Sequence, residues 1–290
     1  MKNYLKIALA LCLSFLLLNS CSTQKPEAPL KVMTFNIRYN NPNDGVNAWP
    51  NRKALAACAI LERDIDIIGM QEVLKSQLND LDSLLFDYEW CGVGRDDGKN
   101  AGEFTPIFFL KDRFENLGDS TLWLSETPSV PGSKSWDTAC TRIVTWARLL
   151  DKSSQKEFYF FNTHFDHISE LARIESARLL LNLMKKIAKD KPIILTGDFN
   201  CTQQDSAYKI LTSALPNNIV LKDSITISKT PHVSIKKTFN GFSVPEGTQE
   251  IDFIFVNPCV KVLTHETLNI IEDGVYISDH FPVVSEAVFQ

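Results

Sequence analysis

The stretch "EFYFFNTHFDHISELARIESARLLLNLMKKIAKDKPIILTGDFN" (157–200) decides the fold. It opens on "EFYFFNTH" (157–164), an aromatic and apolar run that reads as a strand ending at a histidine. It closes on "PIILTGD" (192–198), a second apolar strand ending at an acid. Between them, "SELARIESARLLLNLMKKIAKD" (169–190) places Leu171, Ile174, Leu180, Leu183 and Ile187 near helical spacing. Strand, crossover helix and strand make a β-α-β-like unit.

The pattern recurs upstream. "KVMTFNI" (31–37) and "IDIIGM" (65–70) read as strands, and "NRKALAACAILERD" (51–64) between them sets Leu55, Cys58, Ala59 and Glu62 on neighbouring helical turns. "PIFFL" (106–110), "RIVTWARLL" (142–150), "EIDFIFV" (250–256) and "FPVVSEAVF" (281–289) read as further strands. Eight such runs are too many for one sheet. The expectation is an α/β chain with two sheets packed face to face and helices outside, in a single domain over 31–290. No Pro/Gly/Ser-rich linker, charge block or repeat divides it.

The first residues, "MKNYLKIALALCLSFLLLNSC" (1–21), have the anatomy of an export signal. Lys2 and Lys6 form the basic end, and the apolar run Ile7 to Leu18 is shorter than the roughly 20 residues needed to span a bilayer. The ending Leu18-Asn19-Ser20-Cys21 resembles a bacterial lipobox, which implies cleavage before Cys21 and lipidation of that cysteine. Residues 22–30 then read as a short tether to a membrane in the cell envelope, on the periplasmic side or at the cell surface.

Lys and Arg number 30 against 35 Asp and Glu, a net charge of −5, and loss of the leader removes two of the lysines. That balance disfavours a protein that clamps long nucleic acid, which usually carries a basic stripe. Cys58, Cys91, Cys140, Cys201 and Cys259 follow the leader without a C-x-x-C pair, so their spacing encodes neither a disulfide framework nor a zinc site.

Nearly every apolar run stops at a residue able to bind a metal or move a proton: Asn36, Glu72, His164 with Asp166, Asp198 with Asn200, Asp252, and Asp279 with His280. Strand ends of open sheets are where active-site groups gather. Asn36, Glu72, Asp198, Asn200 and Asp279 all offer oxygen, which suits Mg²⁺ or Mn²⁺ and not zinc. A histidine base works best beside a carboxylate that fixes its tautomer.

By "MTFNIR", "IIGMQE", "GEFTPIFF", "FNTHFDH", "TGDFN", "IDFIFV" and "SDHFPV", in that order from residue 33 to 284, the chain resembles the endonuclease/exonuclease/phosphatase superfamily, whose members share a Mg²⁺-dependent, DNase I-like fold. The resemblance implies a four-layer α/β sandwich and in-line attack of water on phosphorus, with no covalent enzyme intermediate. It implies Glu72 as principal metal ligand, helped by Asn36 and Asp279. His280 becomes the general base held by Asp252, and Asp198 orients the water. Asn200 and His164 become phosphate contacts, with Glu103 orienting His164.

Arg142 sits where it could reach a substrate phosphate or pair with a strand-edge acid. Arg38 and Arg52 are weaker candidates for the same role. The loops 38–52, 92–104, 124–140 and 224–247 would rim the site, and their Trp49, Trp136, Phe239 and Phe242 suit either stacking on a ligand or pinning the loops. Within those loops, Lys236-Lys237 is the one local basic cluster. Four functions stay open: a hydrolase of small phosphoesters, favoured for an acidic envelope protein; a nuclease; a sphingomyelinase-like phospholipid phosphodiesterase; and a binding lipoprotein that has lost activity. A monomer is expected.

Overall fold

The structure, a computed structural model, describes residues 28–214, 219–232 and 234–290. The expected leader with Cys21, and most of the expected tether, lie outside the described residues.

Strand β1 (Leu30–Asn36) leads through a 3₁₀ turn (Pro42–Asn47) and helix α1 (Trp49–Leu61) to β2 (Ile67–Gln71), which pairs with β1 in parallel. Helix α2 (Lys75–Leu84) returns to β3 (Tyr88–Cys91) and β4 (Ile107–Leu110), antiparallel additions to the same sheet. A meander of β5 (Phe114–Trp123), β6 (Ile143–Asp151) and β7 (Lys156–His164) starts the second sheet, and α3 (Glu170–Ala188) crosses to β8 (Ile193–Asp198), parallel to β7. Helix α4 (Ser206–Thr212), β9 (Lys222–Asp223), α5 (Ser224–Ile227) and β10 (Asp252–Val256) follow. The chain then returns to the first sheet through β11 (Val260–Thr267), the hairpin β12 (Ile271–Glu272) and β13 (Val275–Tyr276), and β14 (Val283–Phe289). The sheet orders are β11-β14-β1-β2-β4-β3 and β5-β6-β7-β8-β10-β9. Each six-stranded sheet is mixed, with one parallel pair made by a β-α-β crossover.

Alternation along the strands builds the layers. In β1, Met33 and Phe35 pack outward with Ala56, Ile60, Leu78 and Leu81 of α1 and α2, whereas Leu30 and Val32 face the other sheet. In the second sheet, Phe161, Ile193, Leu195 and Phe255 pack outward with Ala177, Leu180, Leu181 and Met184 of α3. Inner residues from both sheets, including Ile67, Phe109, Phe158, Phe160, Ile194 and Ile254, form the central core. The result is the expected helix–sheet–sheet–helix sandwich.

The helix faces differ from the sequence-based expectation. Helix α1 buries Trp49, Arg52, Ala56, Ala57, Ala59 and Ile60, while Cys58 is exposed. The stripe 49, 52, 56, 59–60 follows helical spacing, but its small alanines and an arginine hide it from a hydrophobicity count. In α3, Leu171 is exposed and Ala172, Ser176 and Ala177 are buried, for the same reason.

The inner faces turn polar toward one end of the sandwich. Along successive inward positions, Val32 gives way to Thr34, Ile67 to Gly69 and Gln71, Phe160 to Asn162, and Ile194 to Thr196. The Asn162 amide spans the sheets. Its Nδ2 donates to Met70 O (2.6 Å) and Pro106 O (3.0 Å), and its Oδ1 accepts from Gln71 Nε2 (2.6 Å) and Thr196 Oγ1 (3.1 Å). Gly69 makes room for this, because a Cβ there would overlap the Thr196 hydroxyl and the Asn162 amide. Gly69→Ala is therefore expected to destabilise the protein by about 1–3 kcal/mol or more, read as a lower denaturant midpoint. A midpoint equal to wild type would show that the sheets tolerate separation here.

Candidate active site

One step beyond that buried polar layer, the same inward positions carry the candidate residues. Asn36 follows Thr34, His164 follows Asn162 and Asp198 follows Thr196, each two residues on and so on the same face. His164 and Asp198 are register partners on parallel strands, and Asp198 and Asp252 are partners on antiparallel ones. The sheets end here, and the chain turns sharply. Arg38, Glu72 and Asn200, just past β1, β2 and β8, all adopt positive φ (57°, 62° and 47°) although none is glycine. Such backbone is costly and is retained where it directs a side chain.

Asn36 Nδ2 donates to Glu72 Oε1 (3.1 Å) and to Asp198 Oδ2 (2.9 Å), joining the two sheets at the floor of the site. The other oxygen of Glu72 accepts from Tyr39 N at 3.1 Å. His280 Nδ1 is bonded to Asp252 Oδ2 at 2.9 Å, while its Nε2 faces Asp198 Oδ2 at 3.8 Å. Phe239 packs edge-on against the His280 ring at 5.0 Å between centroids. Asp279 lies to one side, 3.7 Å from Arg38 Nε, and its backbone carbonyl accepts from the amides of Asn240 and Gly241.

The histidines have opposite character. Burial opposes charge on His280, but Asp252 and Asp198 outweigh it and hold the imidazole well above its ordinary range. Burial, with Arg142 and Arg95 nearby, pushes His164 well below its ordinary value and keeps it neutral. Its tautomer follows from Asn200, whose Nδ2 donates to Phe165 O (3.1 Å) and so also donates to His164 Nε2 (3.1 Å). The proton of neutral His164 therefore sits on Nδ1.

Glu103 does not hold that proton by a hydrogen bond. Its Oε2 is 4.0 Å from His164 Nδ1 and 2.6 Å from Arg95 Nη1, so its short partner is an arginine that no sequence motif singled out. Arg142 combines the two roles considered for it. Its Nε stands 3.7 Å from Asp166, its Nη2 is 2.9 Å from His167 Nδ1, and it lines the cavity. Asp166 is a loop anchor, accepting from Thr138 Oγ1, Ala139 N, Ile168 N and Ser169 N.

Glu72, Glu103, Arg142, His164, Asp198, Asn200, Asp279 and His280 line a cavity of about 540 Å³ with Arg38, Tyr39, Arg95, Phe239, Gln249 and Ile251. Of Trp49, Trp136, Phe239 and Phe242, Phe239 reaches it. Trp49 is buried, with Nε1 bonded to Asp80 (2.9 Å), and Phe242 and Trp49 flank the wholly buried Arg52. Arg52 itself donates to the carbonyls of Ile37, Arg38, Asn47 and Ile277, and thus ties together loops on either side of the site. Lys236 and Lys237 are exposed.

Among the described residues, two groups bring three potential ligand atoms within 4.8 Å of one another: Glu72, His164 and Asp198, and Asp198, Asp252 and His280. The Asp252–His280 bond already engages the second. At the first, Glu72 and Asp198 present carboxylate oxygens beside Asn36, a donor set that fits a hard divalent cation. Burial pushes Asp198 above the usual carboxylate range, with Asp252 adding to the effect, and burial also raises Asp279. A cation here would relieve that concentration of desolvated acid.

Residues 33–280 match the Endonuclease/Exonuclease/phosphatase family. The chain is similar to the solved endonuclease/exonuclease/phosphatase from Bacteroides vulgatus, with 41% identity and a TM-score of 0.86 over 90% of this chain and 99% of that one. It is also similar to the mannosyl-6-phosphatase of Bacteroides thetaiotaomicron, with 39% identity and a TM-score of 0.83 over 90% and 100% of the two chains. Nocturnin of Drosophila melanogaster is 24% identical over 92% of this chain, which spans about half (48%) of that protein's length.

Because Asp252 is the closest acid to His280, Asp252→Asn is expected to make His280 titrate at lower pH, followed by NMR of the metal-free protein. The sign follows from linkage: the stability contributed by a raised histidine is present below its unfolded pKa near 6.5 and lost as pH rises through the folded one. An unchanged His280 titration would remove Asp252 from this role.

Proposed function

The chain belongs to the endonuclease/exonuclease/phosphatase family, and from that membership we propose that it is a divalent-metal-dependent phosphatase of small phosphate monoesters, sugar phosphates foremost. The observation that carries the chemistry is the Asp252–His280 pair facing Asp198 across 3.8 Å at the floor of the cavity. The substrate class rests on the 39% identity to a mannosyl-6-phosphatase and on a cavity of about 540 Å³, within the size that small ligands occupy.

Glu72 and Asp198 would hold the cation, with Asn36 and Asp279 beside them, and Mg²⁺ or Mn²⁺ bound there would stabilise charge on the phosphoryl oxygens. His280, positioned by Asp252, turns its Nε2 toward Asp198, and a water between the two can be oriented by the carboxylate and deprotonated by the ring. Neutralising the surrounding carboxylates weakens the hold of His280 on its own proton and so frees it for that task. Arg142 contacts a non-bridging oxygen, and neutral His164, held at Nε2 by Asn200, donates through Nδ1. The attack forms the new P–O bond, breaks the ester P–O bond and releases the alcohol and inorganic phosphate.

Hydrolysis of mannose 6-phosphate is expected to stop in EDTA and return with Mg²⁺ or Mn²⁺, and His280→Ala to lower kcat by about 10²–10⁴-fold. Activity that persists in EDTA, or at the wild-type rate in His280→Ala, would sink the mechanism. Glu72→Gln should raise the Mg²⁺ concentration needed for half-maximal rate.

The lipobox-like Leu18-Asn19-Ser20-Cys21 supports anchorage of this enzyme to an envelope membrane through lipid on Cys21. Radiolabelled palmitate is expected to label the wild type and to be lost in Cys21→Ala; equal labelling of both would rule out that attachment point.

A further inference from the structure

Beside His164, on the side away from Asp198, the main cavity gives onto a recess of about 10 Å³ walled by Arg95, Glu103, Arg142 and His164. Its volume matches about one water-sized oxygen. Three buried nitrogens in this wall, Arg95 Nε, Arg142 Nε and His164 Nδ1, have no hydrogen-bond partner among the described residues. Arg142 and His164 are only 5% and 6% exposed. All three nitrogens are donors, since a guanidinium cannot accept and Asn200 fixes the His164 proton on Nδ1. Unpaired buried donors are costly, and three of them on side chains that line one recess call for an acceptor-rich ligand atom, since Asp96 and Asp166 stand 3.9 and 3.7 Å from the two Nε atoms.

The neighbouring acids do not meet this demand. The oxygens of Asp166 are engaged by Thr138, Ala139, Ile168 and Ser169, leaving Arg142 Nε 3.7 Å away. Glu103 Oε2 is taken by Arg95 Nη1, and burial raises the pKa of that carboxyl.

We propose that Arg95, Arg142 and His164 Nδ1–H form a subsite for the third non-bridging oxygen of a phosphate monoester, so that the enzyme selects monoesters over diesters. The inference rests on the phosphatase reading above. A diester presents two non-bridging oxygens and one negative charge. A monoester presents three oxygens and a second charge, so it can fill the recess with one oxygen while two others face the metal side. Guanidinium groups suit this task because their N–H vectors are fixed and their charge is permanent.

The test compares kcat/KM for p-nitrophenyl phosphate and bis-p-nitrophenyl phosphate with Mg²⁺ in the wild type, Arg142→Gln, Arg142→Lys and Arg95→Gln, together with inhibition by inorganic phosphate. Wild type is expected to prefer the monoester. Each Gln variant should lower the monoester-to-diester ratio by about 10- to 100-fold, the equivalent of one charge-assisted hydrogen bond, and weaken phosphate inhibition. Arg142→Lys should recover only part of the ratio. Equal losses on both substrates, or an unchanged ratio with unchanged phosphate inhibition, would overturn the subsite. Should Arg142→Gln fail to fold by circular dichroism, the less buried Arg95→Gln decides between the same two outcomes. A wild type that prefers the diester, or cleaves neither compound, would instead bring down the phosphatase reading itself.

Discussion

The side-chain amide of Asn162 fixes how the two sheets meet, and the site depends on that meeting. Asn162 belongs to the second sheet, yet it donates to two backbone carbonyls of the first and accepts from Gln71 of the first and Thr196 of its own. Four directed bonds in a water-poor space set both separation and register, where an apolar contact would set only separation. The consequence lies one layer above. With Asn162 and Thr196 fixed, His164 and Asp198 two residues on must project into the same gap. From the facing strand, Asn36 then comes within 2.9 Å of Asp198. A slip of one residue in any central strand would turn its candidate group toward a helix layer.

That geometry creates an electrostatic conflict which the fold resolves locally. Asp198 stands beside Asp252, and Asp279 beside Glu72, in places where burial disfavours their charge. His280 answers part of it by staying protonated between Asp252 and Asp198, and Arg38 answers another part beside Asp279. What is left unanswered is concentrated at Glu72 and Asp198, the pair that Asn36 bridges. The site therefore has a preferred location for an added positive charge, beside acids that His280 and Arg38 compensate only in part.

Sequence revealed the inside of each sheet and concealed its rim. All eight runs read as strands correspond to interior strands: β14, β1, β2 and β4 in one sheet, and β6, β7, β8 and β10 in the other. β1, β2, β4, β8 and β10 are covered on both faces and read as near-continuous apolar runs, while β6 and β14 alternate buried with half-buried positions yet keep enough β-branched and aromatic residues to be read. The four edge strands, β3, β5, β9 and β11, went unread because one face or one side meets water. β5, "FENLGDSTLW", mixes polar residues into its exposed positions and carries a bulge at Gly118, and β11 carries another near Thr264. The candidate residues were legible where they end an interior strand, as Asn36, His164 and Asp198 do. Arg95 and His167 were not, since each acquires its place through a partner brought by a loop: Glu103 for the first, Arg142 for the second. Glu103 stands 4.0 Å from His164 and closer to Arg95, because loop 92–104 delivers that arginine to its carboxylate.

The acidic composition and the proposed anionic ligand are compatible because the cavity divides its charges. Glu72, Asp198 and Asp279 carry one arginine among them, Arg38 beside Asp279, whereas Arg95 and Arg142 near His164 Nδ1 carry one acid, Glu103. A net charge of −5 spread over the surface is screened within about 10 Å at ordinary ionic strength, whereas groups inside a partly closed cavity act across shorter, less screened distances. Long-range attraction of a polyanion is therefore weak, while a compact phosphate that reaches the cavity meets directed donors on one wall. The division also orients what enters: an oxyanion with its acceptors toward Arg95 and Arg142 turns its phosphorus toward the Asp198–His280 side. Charge placement, more than total charge, is thus what fits the proposed small phosphorylated ligand.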